Sequence, residues 1–150
     1  MNDQTREWPD LAGRLTPEGH ILPVRVYYED TDFSGLVYHA NYLQFMERGR
    51  SDYLRLIGVH HADLDQGTLG ERLVFAVRRM EIDFLKPARI DDIVEVHTRT
   101  EKIGGARLFL GQLVRHRGID LIAASVTVAI LGSDGRPRRI PAEIAEKFTI

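Results

Sequence analysis

The 150 residues are about one domain's worth of chain, and a hydrophobic content of 43% suffices for a single core. The 20 basic and 22 acidic side chains leave a net charge of -2, which argues against nucleic acid or an anionic membrane surface as the main partner. The absence of cysteine excludes thiol nucleophiles, disulfides and cysteine-held metals, and fits a reducing cytoplasm.

In chain order, residues 1–20 carry Pro9, Gly13, Pro17 and Gly19 among charges and lack sustained periodicity. They read as a loose tail ahead of one domain over 21–150, with no positive start and apolar run of the kind a signal peptide needs. No later stretch is long and apolar enough to span a bilayer. Residues 21–28 predict a first strand with Val24, Val26 and Tyr28 on one face. A helix then begins near His39 or Ala40, where Tyr42, Met46, Gly49, Tyr53 and Leu56 recur at gaps of four and three. Asn41 with Gln44 resembles a capping box, and Gly58 is a natural C-terminal stop. Gly49 costs about 1 kcal/mol against Ala in mid-helix, so a close approach to a neighbouring element is expected there.

A polar linker over 61–71 leads into period-two alternation. Val74, Ala76, Arg78, Met80, Ile82 and Phe84 make one alternating set, ended by Lys86-Pro87. Residues 94–101 alternate strictly, Gly104-Gly105 sits where a two-residue hairpin belongs, 107–115 alternates again, and Gly118 marks a second hairpin. Residues 121–131 are the most apolar strand, Asp134-Gly135 closes it, and 141–150 is expected to add a helical turn. The sum is an α+β fold, a five-stranded antiparallel sheet curled around one long helix. Its open edges call for a second copy of the chain.

The segment from Tyr28 to Tyr42 holds the densest chemistry. It sets a carboxylate, a histidine and a phenol beside a helix start whose N–H groups are free to hold an anion, an inventory suited to attack on an activated carbonyl. Its pattern Y-x-x-x-D-x-x-G-x-V-Y-H-x-x-Y resembles the signature of hotdog-fold acyl-CoA thioesterases. Within them it is most similar to the 4-hydroxybenzoyl-CoA thioesterase family and its short branch associated with the Tol-Pal cell-envelope system. The likeness runs from about 24 to 141 and takes in Phe84-Leu85-Lys86-Pro87-Ala88-Arg89, Asp91-Asp92 and Asp134-Gly135-Arg136-Pro137. The N-terminal tail is longer than the family's.

The resemblance implies a hotdog subunit in a homodimer or homotetramer, hydrolysing an acyl-CoA thioester to free acid and CoA. It places the acidic catalyst on Asp32 and its companions on His39 and Tyr28. Asp32 would act as general base for water or attack directly to form a mixed anhydride, its pKa raised by Glu29, Asp30 or burial. An Asp making a turn before a helix is the structural alternative. The His39 backbone N–H is a candidate oxyanion donor, and the Tyr28 hydroxyl is placed to reach Asp32 from the strand end. Tyr38 and Tyr42 read as core or dimer-contact aromatics, and Glu47 with Arg50 as a surface i,i+3 pair.

Lys102, Arg138 and Arg139 are candidates for the CoA phosphates, against ordinary solvated charge. His60-His61, His97 and His116 have no ligand-converging spacing, so no metal is expected, and the carbonyl chemistry needs no redox cofactor. An acyl-carrier protein remains open as the carrier in place of CoA. The alternatives are a hotdog dehydratase acting on a hydroxyacyl thioester and a non-catalytic acyl-CoA or acyl-carrier binding module.

Overall fold

A computed structural model describes residues 8–67 and 70–148. Residues 1–7 of the expected tail, 68–69 of the expected linker and 149–150 of the expected C-terminal turn lie outside the described residues. Six strands form one sheet: β1 (Arg14–Thr16), β2 (Gly19–Arg25), β3 (Leu73–Phe84), β4 (Ile93–Gly104), β5 (Arg107–His116) and β6 (Ile119–Gly132). Their order across the sheet is β1-β2-β4-β5-β6-β3, with every neighbouring pair antiparallel. The expected tail thus supplies an extra strand, because Arg14–Thr16 folds back on Gly19–Ile21 and extends the sheet beyond β2. The first strand also ends earlier than expected. After Arg25 the chain leaves the sheet, and Tyr28–Asp30 forms a 3-10 turn.

The long helix α1 (Asn41–Leu56) lies on the inner face of the sheet and buries Tyr42, Phe45, Met46, Gly49 and Tyr53 at helical spacing. Its N-cap is Ala40, with no side-chain cap, so the expected Asn41–Gln44 box does not form. Asn41 instead points its amide at Asp30. At the other end Gly58 takes φ 90°. Val59 N–H reaches Leu54 O at 2.8 Å and Gly58 N–H reaches Arg55 O at 3.1 Å, the paired bonds of a Schellman ending. The expected linker contains a short helix, α2 (His61–Gln66), which buries Leu64 and stops at Gly67 in the left-handed region. A last helical turn, α3 (Ala142–Ala145), matches the expected one and buries Ile144. Among the described residues no helix is long and apolar enough to cross a membrane.

Register also shifts in the β4–β5 pair between Thr100 and Lys102 and in the β5–β6 pair between Val114 and Arg115, and two further features correct the simple alternation. Val77 pairs with Val128 and Arg79 with Thr127, so Arg78 is an extra residue that bends β3 and switches the face of everything before it. Phe75 and Val77 therefore share the inner face with Met80 and Ile82 rather than opposing them. The first hairpin loop is Gly105-Ala106, one residue later than expected, since Gly104 still pairs with Arg107. The second is Arg117-Gly118, both at positive φ as a type I′ turn requires.

The core falls into two apolar clusters. One, around the start of α1, is built on Val26, Phe45, Met46, Val94 and Ile122. The other, around its end, is built on Tyr53, Leu108, Leu110, Ile130 and Ile144. Between them runs a polar belt at mid-helix. Gln112 donates to Met46 O and to Thr98 Oγ1, both at 2.9 Å, and accepts from Arg50 at 3.0 Å. Tyr53 and Thr100 share a hydrogen bond of 2.7 Å one turn further on. Gly49 makes the belt sterically feasible. A Cβ there would lie 2.6 Å from Val96 Cγ1 and 3.4 Å from Gln112 Nε2, the close approach expected from a mid-helix glycine.

Candidate active site

The residues between the 3-10 turn and α1 form a small hairpin. Thr31 bridges Val37, Asp32 N–H donates to Leu36 O at 2.9 Å, and Gly35, at φ 84°, donates back to Asp32 O at 3.1 Å. The β3–β4 connection holds this hairpin in place. Val37 N–H reaches Ala88 O at 2.9 Å, Leu36 bridges Arg89, and the Ala88 N–H donates to the Tyr42 hydroxyl at 2.9 Å. Tyr42 is thereby a core residue, its pKa raised by burial.

Asp30 and Asp32 divide the labour. Asp30 is 4% exposed. It accepts the Tyr27 N–H at 2.8 Å and the Asn41 side-chain amide at 3.1 Å, while its own carbonyl accepts from Tyr38 N–H at 2.9 Å. It ties the 3-10 turn, the hairpin and the start of α1 into one unit. Asp32 stands exposed at the hairpin tip. One of its oxygens accepts the Ser34 N–H at 2.8 Å and the Ser34 hydroxyl in a short bond. These donations, the hydroxyl first, hold the Asp32 pKa below its ordinary 3.8. The expected upward shift from burial or like charge is therefore reversed, since Ser34 is the group in contact and burial is slight.

His39 and Tyr28 do not meet Asp32 as expected within one chain. The His39 ring stacks on Tyr38 at a centroid distance of 4.6 Å and meets the edge of Phe84 at 6.2 Å. Tyr28 lies on the 3-10 turn rather than at a strand end, and is 81% exposed. Phe33, Tyr27, Tyr38, Phe84 and Leu85 surround the same hairpin, also exposed. The peptide amides are better placed. Tyr38 and Asn41 N–H groups are used in the turn, whereas those of His39 and Ala40 between them have no backbone acceptor among the described residues. With Ala40 unable to cap, the helix start presents free donors to an anion.

The candidate phosphate-binding cations sit elsewhere in the same chain. Ile93, at the start of β4, follows the connection that grips the hairpin. Lys102, near the far end of that strand, is about 30 Å further on at roughly 3.3 Å per residue. Its ammonium lies over the Phe109 ring, 5.9 Å from the centroid. Arg138 is held by Glu71 at 3.1 Å and Asp134 at 3.0 Å, and Arg139 is exposed beside it. Among the described residues no group of three or more His, Asp or Glu side chains is arranged to hold a metal.

A cleft of about 100 Å³ opens beneath the middle of α1. Leu54, Phe75, Val77, Leu108 and Val128 form its apolar walls, and Glu47, Arg50, Ser51 and His61 add polar groups. The expected Glu47–Arg50 surface pair is not what forms, because Arg50 turns inward to Gln112. Sequence reasoning missed both Asp30 as an anchor and Gln112 as the support of Arg50. A polar residue on an otherwise apolar inner face, opposite a helical glycine, was the available signal.

Comparison with known proteins agrees with this architecture. Residues 34–123 match the sequence profile of the Thioesterase superfamily. The chain is 40% identical over 128 residues to the acyl-CoA thioester hydrolase YbgC of Escherichia coli O6:H1, covering 84% of this chain and 92% of that protein. A probable thioesterase from Bartonella henselae superposes with a TM-score of 0.79 at 47% identity, covering 82% of this chain and 99% of the other. A thioesterase from Thermus thermophilus, solved with coenzyme A and zinc, superposes with a TM-score of 0.73 at 30% identity, covering 85% and 90%.

Proposed function

The chain belongs to the Thioesterase superfamily and is an acyl-CoA thioester hydrolase, and from that premise we propose that Asp32, His39 and Tyr28 form its catalytic group. Asp32, kept ionised by Ser34, supplies the attacking oxygen directly or draws a proton from the attacking water. The new C–O bond forms as charge moves onto the carbonyl oxygen, which the free N–H groups of His39 and Ala40 receive. With water as nucleophile, the C–S bond then breaks and the CoA thiolate takes the proton that Asp32 drew off. With Asp32 as nucleophile, the thiolate leaves first, and water then cleaves the anhydride, freeing the acid and supplying the thiolate's proton. Tyr28 and the His39 ring border the acyl group. The observation that carries this reading is that one hairpin bears an exposed carboxylate kept ionised by Ser34 and leads directly into uncapped amides at the start of α1.

The site is shared between two copies of the chain. β3 is a 12-residue edge strand whose outer ladder is open, and Val77 and Phe84 along it are exposed. Two-fold antiparallel pairing of β3 sets the start of one strand against the end of the other. Phe75 and Val77, near the start, line the cleft, while Phe84, at the end, touches His39. Such a homodimer, alone or doubled into a tetramer, lets the partner's Asp32 face this cleft. It also brings Lys102 and Arg139 toward the partner's hairpin, where the CoA phosphates need cations, with Arg138 contributing once released from its carboxylates.

The reaction proceeds in the cytoplasm with no cofactor beyond the CoA of the substrate, and an acyl-carrier protein can present the same thioester. Thiol release from a panel of acyl-CoAs tests the assignment. Asp32→Asn and Asp32→Ala should each lower kcat by about a hundredfold or more. Wild-type turnover in both would overturn the role of Asp32, and a fully active monomer in sedimentation equilibrium would overturn the shared site.

A further inference from the structure

Arg50 is the one cation that the fold turns into the cleft beneath α1 among the described residues that line it. Its guanidinium is oriented by a chain of contacts that leaves little freedom. Both amide hydrogens of Gln112 are committed, to Met46 O and to Thr98 Oγ1, so its oxygen must face Arg50. Gly49 keeps the space in which that arrangement fits. Gln112 is a neutral acceptor and takes one N–H. Burial lowers the Arg50 pKa, and the charge of Glu47 opposes it. An oriented, part-desolvated guanidinium with donors to spare is a recognition element rather than a structural one.

The cleft limits what Arg50 can recognise. Its walls are apolar, so an acyl chain entering it lies along Leu54, Phe75, Val77, Leu108 and Val128 beside Arg50. A hydrocarbon chain entering it strips water from Arg50 and gives nothing in return. A carboxylate on the chain would meet Glu47. A hydroxyl suits both neighbours, accepting from Arg50 and donating to Glu47.

We propose that Arg50 is a specificity-determining residue that selects acyl groups bearing a hydroxyl over unsubstituted chains of equal length. This rests on the hydrolysis of acyl-CoA assigned above, with the cleft as the acyl site. The test compares 3-hydroxybutyryl-CoA and butyryl-CoA by thiol release. The wild type should favour the hydroxyacyl substrate over butyryl by about tenfold or more in kcat/KM. Arg50→Met should bring the ratio near one, lowering kcat/KM for the hydroxyacyl substrate and raising it for butyryl as the cost of desolvating Arg50 disappears. Arg50→Lys should restore part of the ratio.

Equal wild-type rates on the two four-carbon substrates, or a ratio unchanged in Arg50→Met, would overturn the proposal. Calorimetric binding of the same two thioesters to Asp32→Asn removes dependence on either Arg50 variant's folding, and equal affinities there would also overturn it. Absence of thiol release from every acyl-CoA of a panel graded in length would sink the hydrolase reading alone, since a tenfold difference in binding would still support Arg50.

Discussion

Around Asp32 the side chains face outward and few are tied down, whereas the buried polar groups beneath the middle of α1 are hydrogen-bonded to one another. Tyr27, Tyr28, Phe33 and Tyr38 stand exposed beside the hairpin. Gln112, Thr98, Thr100 and Tyr53 are buried and hydrogen-bonded. On the proposed shared site, the hairpin is half of a surface that a second copy completes. The belt is finished within one chain and fixes where α1 lies on the sheet. The proposed chemistry is thus mounted on an exposed loop, and its alignment is set by a buried frame.

The sharpest way to break this contrast is to exchange the fates of two carboxylates two positions apart. Asp32→Asn should abolish most turnover and leave the melting temperature within about a degree, because the side chain is exposed. Asp30→Ala should do the reverse in proportion. It leaves the Tyr27 N–H and the Asn41 amide without their acceptor, costing about 2 kcal/mol of stability in urea unfolding, and it loosens the hairpin enough to lower kcat.

Gly49→Ala probes the belt directly. The helix gains about 1 kcal/mol in propensity, but the added methyl meets stiff, buried Val96, and overpacking costs about 1–3 kcal/mol. A net loss of about 1 kcal/mol by denaturant midpoint is expected, whereas a net gain would show that α1 can shift on the sheet.

The pairing of His20 with Asp52 is a second buried polar contact, at 2.7 Å, that fastens β2 to α1. His20 is 1% exposed, and burial, partly offset by Asp52, holds its pKa below the ordinary 6.5. The unfolded chain therefore binds a proton at pH values where the folded chain does not. This contribution to stability is full above about pH 6.5 and declines as the pH falls from there toward the folded-state pKa. His20→Gln should flatten that decline between pH 7.5 and 5.5.

The smallest expected effect belongs to the hairpin again. Ser34→Ala removes the donor that contributes most to lowering the Asp32 pKa, so the acid limb of the pH–rate profile should move up toward 3.8, read in a brief assay after a pH jump. An unmoved limb would mean that a group other than Asp32 governs it.

Much of this was legible in the chain. The run from Tyr28 to Tyr42 marks the hairpin and helix start, and helical spacing picks out the buried face of α1. What stayed hidden depends on backbone path rather than residue type. Asp30 and Asp32 are the same amino acid, and only the Thr31–Val37 bridge decides which turns inward. Arg78 continues the alternation of β3 in the sequence, yet the bulge there reverses the faces. Tyr28 reads as a strand residue because the 3-10 turn that claims it is closed by Asp30, two positions later.

The position of β3 also has a kinetic consequence. Its neighbour in space is β6, although β4 follows it in the chain. The β4–β5–β6 meander closes through two tight turns at little entropic cost, while β3 must wait for the end of that meander to exist before it can dock. Substitutions in the β4–β5 turn should therefore slow refolding, and those in β3 should chiefly hasten unfolding. The strand proposed to meet a second copy of the chain is thus a late arrival in its own sheet.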